Sequence, residues 1–161
     1  MAKFEDAFPY MIHNEVGGDM VNGGYTNDPN DSGGETRWGI SKKAYPDVDI
    51  KNLTLDGASA IYRKYYWFFD GIIDQRVATK VFDAYVNRKA TIRQVQAAAG
   101  APVDGIYGGN TEHAINVMSP TAFLQNFVNG LVQMYKSIVA HNPADAKFLN
   151  GWLNRARRLP N

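Results

Sequence analysis

A chain of 161 residues has the length of one compact domain, or of one domain with a small appended lobe. Its formal net charge of +1 provides no basic field for nucleic acid, and the absence of cysteine excludes disulfides and thiolate metal sites. The sequence shows neither a secretory leader nor an apolar stretch of membrane-spanning length, so we expect no stable membrane insertion.

The first predicted helix covers residues 4 to 15. Its apolar side chains recur at helical spacing, at Phe4, Ala7, Phe8, Met11 and Ile12. Pro9 interrupts the pattern and is expected to kink the segment, because proline removes one backbone hydrogen bond. Residues 16 to 39 then hold seven glycines with many Asn and Asp, which predicts a loop with at most short strands. Loops of this length in a compact domain are usually functional.

The remainder of the chain is predicted to be helical. Apolar stripes indicate helices over residues 58 to 69, 78 to 85 and 124 to 138. A shorter helix from residue 91 is expected to end at Gly100, the residue type that favours a helix C-terminus. Residues 104 to 109 have the composition of a turn. The sequence therefore predicts a mainly α fold with a Gly-rich loop or short β-hairpin after the first helix.

The last helix is predicted to begin at Asn142 and Pro143, a favourable pair for a helix start. Its expected inward face carries Phe148, Leu149, Trp152 and Ala156. Three arginines end the segment, at Arg155, Arg157 and Arg158. We expect them to be solvated, where their charge suits the helix dipole. The alternative is that they contact anionic groups of the cell envelope.

Glu15 is the first candidate for chemistry. It lies four residues after Met11 and three after Ile12, so it continues the apolar face of the first helix. A carboxyl group there is partly removed from water, which favours the protonated form that a general acid needs. The glycine-rich stretch that follows leaves room for a substrate. The alternative is that the helix frays before Glu15, which then caps the helix or contacts solvent.

A second group of polar side chains lies on the turn-rich segment, at Asp28, Asp31 and Thr36. Glycoside hydrolysis needs a second carboxylate, and a hydroxyl beside it can hold the water. The alternative is that these aspartates bind their own backbone in turns. A calcium loop beginning at Asp28 is excluded, because its twelfth position is Gly39 where a glutamate is needed. The three histidines show no metal spacing, so neither a metal nor another cofactor is predicted.

Several longer segments together carry a family resemblance. They are GGYTNDPNDSGGETRWGIS at 23–41, YYW at 65–67, VFDAYVN at 81–87, DGIYGGNT at 104–111 and FLNGWLNRAR at 148–157. In this order they resemble the family 108 glycoside hydrolases, N-acetylmuramidases found as phage endolysins and bacterial secretion-activator proteins. The resemblance implies a lysozyme-like helical fold with Glu15 as the catalytic acid. It also implies a muramidase region over residues 1–90 and a peptidoglycan-binding-like region over 91–161, packed into one compact unit.

The chain departs from the family pattern beside the acid. The family's glutamate directly precedes GGY, whereas Asn22 occupies that position here. Either Glu15 is the acid and residues 16–22 are an insertion, or position 22 is the equivalent site and its acid is lost. We favour Glu15, because its distance from the N-terminus and its place on the apolar stripe both fit. The insertion also adds Asp19 as a further carboxylate.

The remaining site residues are candidates of lower rank. Asp31 with Thr36 best fits the Asp and Thr pair of the wider lysozyme-like group, and Asp28 follows. Aromatic side chains stack on sugars, so we select Tyr25, Trp38 and Tyr66 as substrate contacts, with Asn87 beside them. For Tyr25 and Trp38, the alternative of a hydrophobic cluster beneath the loop stays open.

These features predict a muramidase that cuts the β-1,4 bond between N-acetylmuramic acid and N-acetylglucosamine. Its partner is the glycan of bacterial peptidoglycan, it needs no cofactor, and we expect a monomer that binds no nucleic acid. We expect synthesis in the bacterial cytoplasm without a signal peptide, and action on the cell wall after holin-type or other release. The alternative is a catalytically inactive peptidoglycan-binding or secretion-accessory protein.

Overall fold

A computed structural model describes residues 1–29 and 33–161 of the chain. Within these residues lie seven α-helices, one two-stranded hairpin and two short 3-10 helices. The helices are α1 Phe4–Glu15, α2 Leu55–Tyr65, α3 Gln75–Asn87, α4 Ile92–Ala99, α5 Gly109–Val117, α6 Pro120–His141 and α7 Ala146–Arg157. The strands are β1 Thr36–Arg37 and β2 Ile40–Ser41, and the 3-10 helices are Lys89–Thr91 and Pro143–Asp145. The mainly α fold predicted from the sequence is confirmed.

The hairpin follows α1 at the end of the glycine-rich loop. Its strands are antiparallel, with Thr36 opposite Ser41 and Arg37 opposite Ile40. The two turn residues both have positive φ, 53° at Trp38 and 72° at Gly39. Positive φ at both central positions is the geometry of the type I′ turn, which matches the twist of the strands it joins. The turn therefore brings β1 and β2 together with no further loop residues.

The centre of the molecule is α3. Eight consecutive residues, from Val77 to Ala84, are buried, so this helix is covered on all its sides. It packs against α1 on one side and α6 on another. The aromatic rings of Phe4, Trp67 and Phe82 meet edge to face where α1 contacts α3.

The carboxyl-terminal half is built around α6, which packs against α4, α5 and α7. Phe123 and Phe127 stack on its buried side. Although α6 has 22 residues, no helix in the described ranges is long and apolar enough to cross a membrane.

Most predicted helices are present. The chain of α1 runs through Pro9 as one helix, and Gly100 caps α4 in the left-handed conformation with φ 69°. The predicted helix over 58–69 is too long at its carboxyl end, because α2 ends at Tyr65 and Phe69 lies beyond it. The backbone amides of Tyr66 and Trp67 both bond to the Tyr62 carbonyl, which closes the last turn. Tyr65 is exposed instead of forming part of the buried stripe.

Two further expectations are wrong near the end of the chain. The last helix does not begin at Asn142, because the short 3-10 helix Pro143–Asp145 precedes α7. Phe148 was expected to face the core, but it is exposed. The sequence also gave no sign of α5, which buries only Thr111 and Ile115 and so has little of an apolar stripe.

Candidate active site

Glu15 is the last residue of α1, and its side chain lies against the hairpin turn. A Cβ atom at Gly39 would be only 2.5 Å from the Glu15 Cγ and 3.0 Å from its Oε1. The same atom would collide with the Tyr62 hydroxyl, which donates a hydrogen bond to the Trp38 carbonyl at 3.0 Å. The predicted placement of Glu15 on a well-formed helix end is therefore observed, and its side chain is 22% exposed.

The Tyr62 phenol is buried and faces Gly39 together with this carboxyl group. Burial raises the pKa of Tyr62, and the charge of Glu15 raises it further. The phenol therefore stays protonated and keeps its hydrogen bond to the hairpin turn.

On its other side Glu15 is paired with Arg155, from α7. The Arg155 Nη2 atom lies 2.9 Å from the Glu15 Oε2. The guanidinium and the carboxylate form an ion pair, and Oε2 is buried. The charge of Arg155 therefore compensates for the burial of this oxygen.

Arg155 is held by a second carboxylate, Asp83 of α3. Its Nη2 lies 3.0 Å from the Asp83 Oδ1, and Asp83 is almost fully buried. Burial of the guanidinium opposes its charge, but the carboxylates of Asp83 and Glu15 outweigh that effect and raise the pKa of Arg155. Arg155 is therefore a permanent cation between two acids.

Further polar groups complete this network. Asn14 donates to the Asp83 Oδ1 at 3.2 Å. Lys80 is buried and donates to the backbone carbonyls of Arg155 and Arg158, each at 2.7 Å. Its ammonium therefore binds carbonyls at the end of α7 that lack helical partners. Desolvation by burial lowers the pKa of Lys80 to about 8.

The expectation that the terminal arginines are solvated is wrong for Arg155. Its side chain is only 16% exposed, whereas Arg157 and Arg158 are exposed. A signal for this was present in the sequence, because Arg155 lies three residues after Trp152 and so borders the inward face of the helix. The cluster of three arginines by itself had indicated exposure.

The predicted second carboxylate cannot be placed in the same way, because Asp31 lies outside the described residues. Asp28 is exposed. The Thr36 hydroxyl, on β1, donates to the Gly34 carbonyl at 3.1 Å and keeps its acceptor lone pairs.

The turn after α1 contains the other candidates. Asp19 accepts hydrogen bonds from the backbone amides of Asn22 and Gly24, at 2.9 and 3.2 Å, and these bonds lower its pKa. Its carboxylate therefore closes the turn, as aspartates commonly do. The side chain of Asn22 is exposed, and its backbone carbonyl accepts a bond from Arg37 at 3.1 Å.

The four predicted substrate contacts occupy different environments. Trp38 is 4% exposed, and its ring covers Gly23, where a Cβ would lie 2.5 Å from the ring. Its indole N–H donates to the Leu53 carbonyl at 3.0 Å. The hydrophobic-cluster alternative therefore describes Trp38, and we do not retain it as a sugar-stacking residue.

The other aromatic candidates are partly accessible. Tyr25 donates its hydroxyl to Glu35 at 2.7 Å, and Tyr66 accepts a bond from the Tyr45 hydroxyl at 3.4 Å. Both are half-buried. The sequence did not single out Glu35, a carboxylate that directly precedes Thr36.

Asn87 lies at the end of α3 beside the ion pairs. It donates to the Tyr135 hydroxyl at 2.6 Å and accepts from the Arg155 Nη1 at 3.4 Å. The structure thus connects Asn87 with Glu15 through one guanidinium. In residues 1–29 and 33–161, no cluster of three His, Asp or Glu side chains has the arrangement of a metal site.

Comparison with known proteins adds two family matches and a structural likeness. Residues 20–88 match the family model described as "Glycosyl hydrolase 108", and residues 70–157 match that of a "Predicted Peptidoglycan domain". The solved structure of Brucella abortus SagA is similar over 95% of this chain and 88% of that chain, with a TM-score of 0.73 and 24% sequence identity. This likeness shows that the two chains share their overall fold. No curated protein matches the sequence.

Proposed function

Because this chain belongs to the glycosyl hydrolase 108 family, with a peptidoglycan domain as its second half, we propose that it is a muramidase. The reaction is hydrolysis of the β-1,4 bond between N-acetylmuramic acid and N-acetylglucosamine. The observation that carries the proposal is the Glu15 carboxyl group, partly buried at the end of α1 and fixed between the hairpin turn and Arg155.

Glu15 is the proposed general acid. It gives its proton to the glycosidic oxygen as the bond to the muramic acid carbon breaks, so that the glucosamine leaves as an alcohol. Gly39 and Tyr62 restrict the carboxyl group from one side, and Arg155 restricts it from the other. A fixed donor contributes to the rate because less reorientation is needed when the transition state forms.

A second carboxylate is needed, either to stabilise the positive charge that develops on the sugar or to activate the attacking water. For this role we propose Asp31 assisted by the Thr36 hydroxyl, with Asp28 as the next candidate. The Thr36 oxygen already donates its proton to Gly34, so it is available to accept a hydrogen bond from water. We further propose that Tyr25, Tyr66 and Asn87 contact the glycan.

The first prediction tests the acid. Glu15→Gln keeps the shape of the side chain but has no proton to donate, so we expect a loss of wall hydrolysis of at least 100-fold. The measurement is clearing of purified peptidoglycan, with mass spectrometry of the products to identify new muramic acid reducing ends. Glu5→Gln is the matched control, since Glu5 is an exposed glutamate on the same helix. Equal activity of Glu15→Gln and wild type would exclude Glu15 as the acid.

The second candidate function is a peptidoglycan-binding protein without catalysis. It is favoured by one observation: the glycosyl hydrolase 108 match begins at residue 20, beyond Glu15, and Asn22 stands directly before GGY. Asn22→Glu separates the two functions. If the wild type is inactive and Asn22→Glu clears the wall, then the acid was lost at position 22 and the binding function is correct.

For the biological role we propose an endolysin, a monomer that reaches the wall after holin-type release. Expression in the bacterial cytoplasm is expected to leave cells intact, and co-expression of a holin is expected to lyse them. Lysis that requires no holin would contradict this release route. Unchanged cell integrity combined with increased export of other proteins would support the secretion-accessory role.

A further inference from the structure

A polar cavity of about 320 Å³ adjoins the candidate active site. Its walls come from the end of α1, the end of α3 and the carboxyl-terminal part of α7. The lining residues that matter here are Asn14, Asn87, Trp152, Asn154, Arg155 and Arg158. We refer to this space as the arginine cavity.

The two arginines of the cavity differ in how their charges are used. Arg155 pairs with Asp83 and Glu15, so its charge is balanced within the protein. Arg158 donates to the Asn14 Oδ1 at 2.6 Å, and no carboxylate of the described residues lies within salt-bridge distance of it. Its guanidinium therefore has donors left for an anionic ligand, which it can bind in bidentate fashion if the ligand is a carboxylate.

The neutral lining matches a peptide. Asn154 brings an amide side chain that can donate to and accept from peptide groups, whereas the amides of Asn14 and Asn87 each already make two hydrogen bonds within the protein and add a neutral polar wall. Trp152 adds an apolar surface, and none of the described residues that line the cavity is acidic. The combination favours a flexible chain of amide bonds that ends in, or carries, carboxylates.

The position of the cavity indicates which peptide. Arg155 lines the cavity and is also paired with the Glu15 carboxyl group, so the two sites share one side chain. In peptidoglycan each muramic acid ring carries a stem peptide through its lactyl group. When the bond next to a muramic acid ring lies at Glu15, the stem peptide of that ring begins within one sugar width of the acid.

We propose that the arginine cavity binds the stem peptide of the muramic acid residue at the cleaved bond, with a peptide carboxylate on Arg158. The inference rests on the proposed function for the register of the glycan, but the binding itself does not require hydrolysis. It makes the enzyme selective for strands whose peptides are still attached. Naked glycan would lose the contacts of the cavity and retain only those of the sugar groove.

The test measures binding to two fragments that muramidases release, using the full chain. One is the N-acetylglucosaminyl-N-acetylmuramyl disaccharide with its tetrapeptide, and the other is the same disaccharide without peptide. By calorimetric titration we expect the peptide-bearing fragment to bind about ten-fold more tightly, as one charge-assisted carboxylate contact supplies. Arg158→Gln is expected to remove most of that difference.

Arg157→Gln is the matched control, because Arg157 is the neighbouring exposed arginine and does not line the cavity. It should retain the full preference for the peptide-bearing fragment. Asn154→Ala, a second change in the cavity wall, is expected to weaken the same preference. Circular dichroism confirms that each variant is folded. Equal affinity of the wild type for both fragments, or an unchanged preference in Arg158→Gln, would overturn the proposal.

A cleavage assay separates this proposal from the proposed function. Wild type is given intact glycan strands and strands stripped of peptide by an amidase. Faster cleavage of intact strands supports both proposals. Equal cleavage of both retains the muramidase and refutes the peptide site. Cleavage of neither refutes the muramidase, and the fragment titration then still decides whether the cavity binds the peptide.

Discussion

Position 39 determines how closely the hairpin approaches the acid. Gly39 has a φ of +72°, and its Cα faces the Glu15 side chain at a distance that leaves no room for a methyl group. Both the turn geometry and the close approach therefore require glycine. A single residue without a side chain thus sets the location of the proposed proton donor.

Gly39→Ala is expected to reduce hydrolysis on the order of 100-fold, because displacement of a catalytic group by about 1 Å has that effect. It should also lower the free energy of unfolding by about 2–4 kcal/mol, from left-handed strain together with overpacking. Gly100→Ala is the control: it has φ 69° with no atom within 4 Å of the added methyl group. We expect its free energy of unfolding to fall by about 1 kcal/mol and its activity to stay unchanged. A fully active Gly39→Ala would contradict the tight packing.

We predict that Lys80 makes the stability of the protein depend on pH, because burial lowers its pKa from 10.5 to about 8. Below pH 8 both folded and unfolded states carry the proton, so this group does not make the free energy of unfolding vary with pH. Between about pH 8 and 10.5 the unfolded state binds more protons, and the free energy of unfolding therefore rises with pH. The gain approaches about 1.4 kcal/mol per pH unit.

The measurement compares wild type with Lys80→Met by urea unfolding from pH 7 to 9.5, so that tyrosine ionisation cancels between the two proteins. Above pH 8 the free energy of unfolding of the wild type should rise relative to that of the variant. Lys136→Met, a change of an exposed lysine, should show no such trend. A difference that stays constant over the range would mean that Lys80 titrates as an ordinary lysine.

Sequence reasoning at the residue scale selected Glu15 as the candidate acid from the spacing of α1, since helical periodicity is a local property. It did not identify the ion pair with Arg155, which joins residues at opposite ends of the chain. Nor did it decide between burial and exposure for Trp38. That outcome depends on the positive φ of the turn and on Gly23 beneath the ring.

Among the elements, α7 has the clearest link to the site. It contributes Arg155, which forms an ion pair with Glu15, and its last carbonyls accept hydrogen bonds from Lys80 of α3. The helix is therefore both a wall of the arginine cavity and a support for the carboxyl group of α1.

Arg155→Met is expected to lower the free energy of unfolding by about 3–5 kcal/mol, because it leaves Asp83 buried without its main cation. Hydrolysis should fall as well, since Glu15 loses its fixed partner. Urea unfolding followed by circular dichroism measures the first effect. Arg157→Met changes an exposed arginine of the same helix, and we expect it to alter stability by less than about 0.5 kcal/mol. Equal stability of the two variants would show that the buried network is not structural.

The helices that sequence patterns predicted well are α4 and α6, which each have one continuous buried face, and the fully covered α3. The pattern failed for α5, whose buried residues are Thr111 and Ile115. It also extended α2 too far, because neither glycine nor proline marks its end at Tyr65 and apolar residues continue into the next segment. Helix ends of this kind are decided by tertiary contacts, which periodicity does not contain.

At the scale of the whole molecule, α3 is shared by both halves of the chain. It packs against α1 and α6, and its polar residues hold α7. The overall helical fold followed from the order of the patterns and the family resemblance. The division at residue 90 into two regions remains a prediction about sequence ancestry and function, because a shared central helix couples the two regions physically.

We therefore expect the protein to unfold in one cooperative transition. In scanning calorimetry the calorimetric and van't Hoff enthalpies should agree. Arg155→Met should shift the whole transition to lower temperature without splitting it, since α7 is part of the same cooperative unit. Two separate transitions in the wild type would show that the regions fold independently.

The three tryptophans occupy unequal environments, and this has a practical use. Trp38 and Trp67 are in the core, whereas Trp152 is partly accessible, stacks on Tyr135 and lines the arginine cavity. A soluble quencher such as acrylamide should consequently reach the indole of Trp152 before the other two. The intrinsic fluorescence of the unlabelled protein thus reports on the filling of this cavity, so ligand libraries can be screened without any dye.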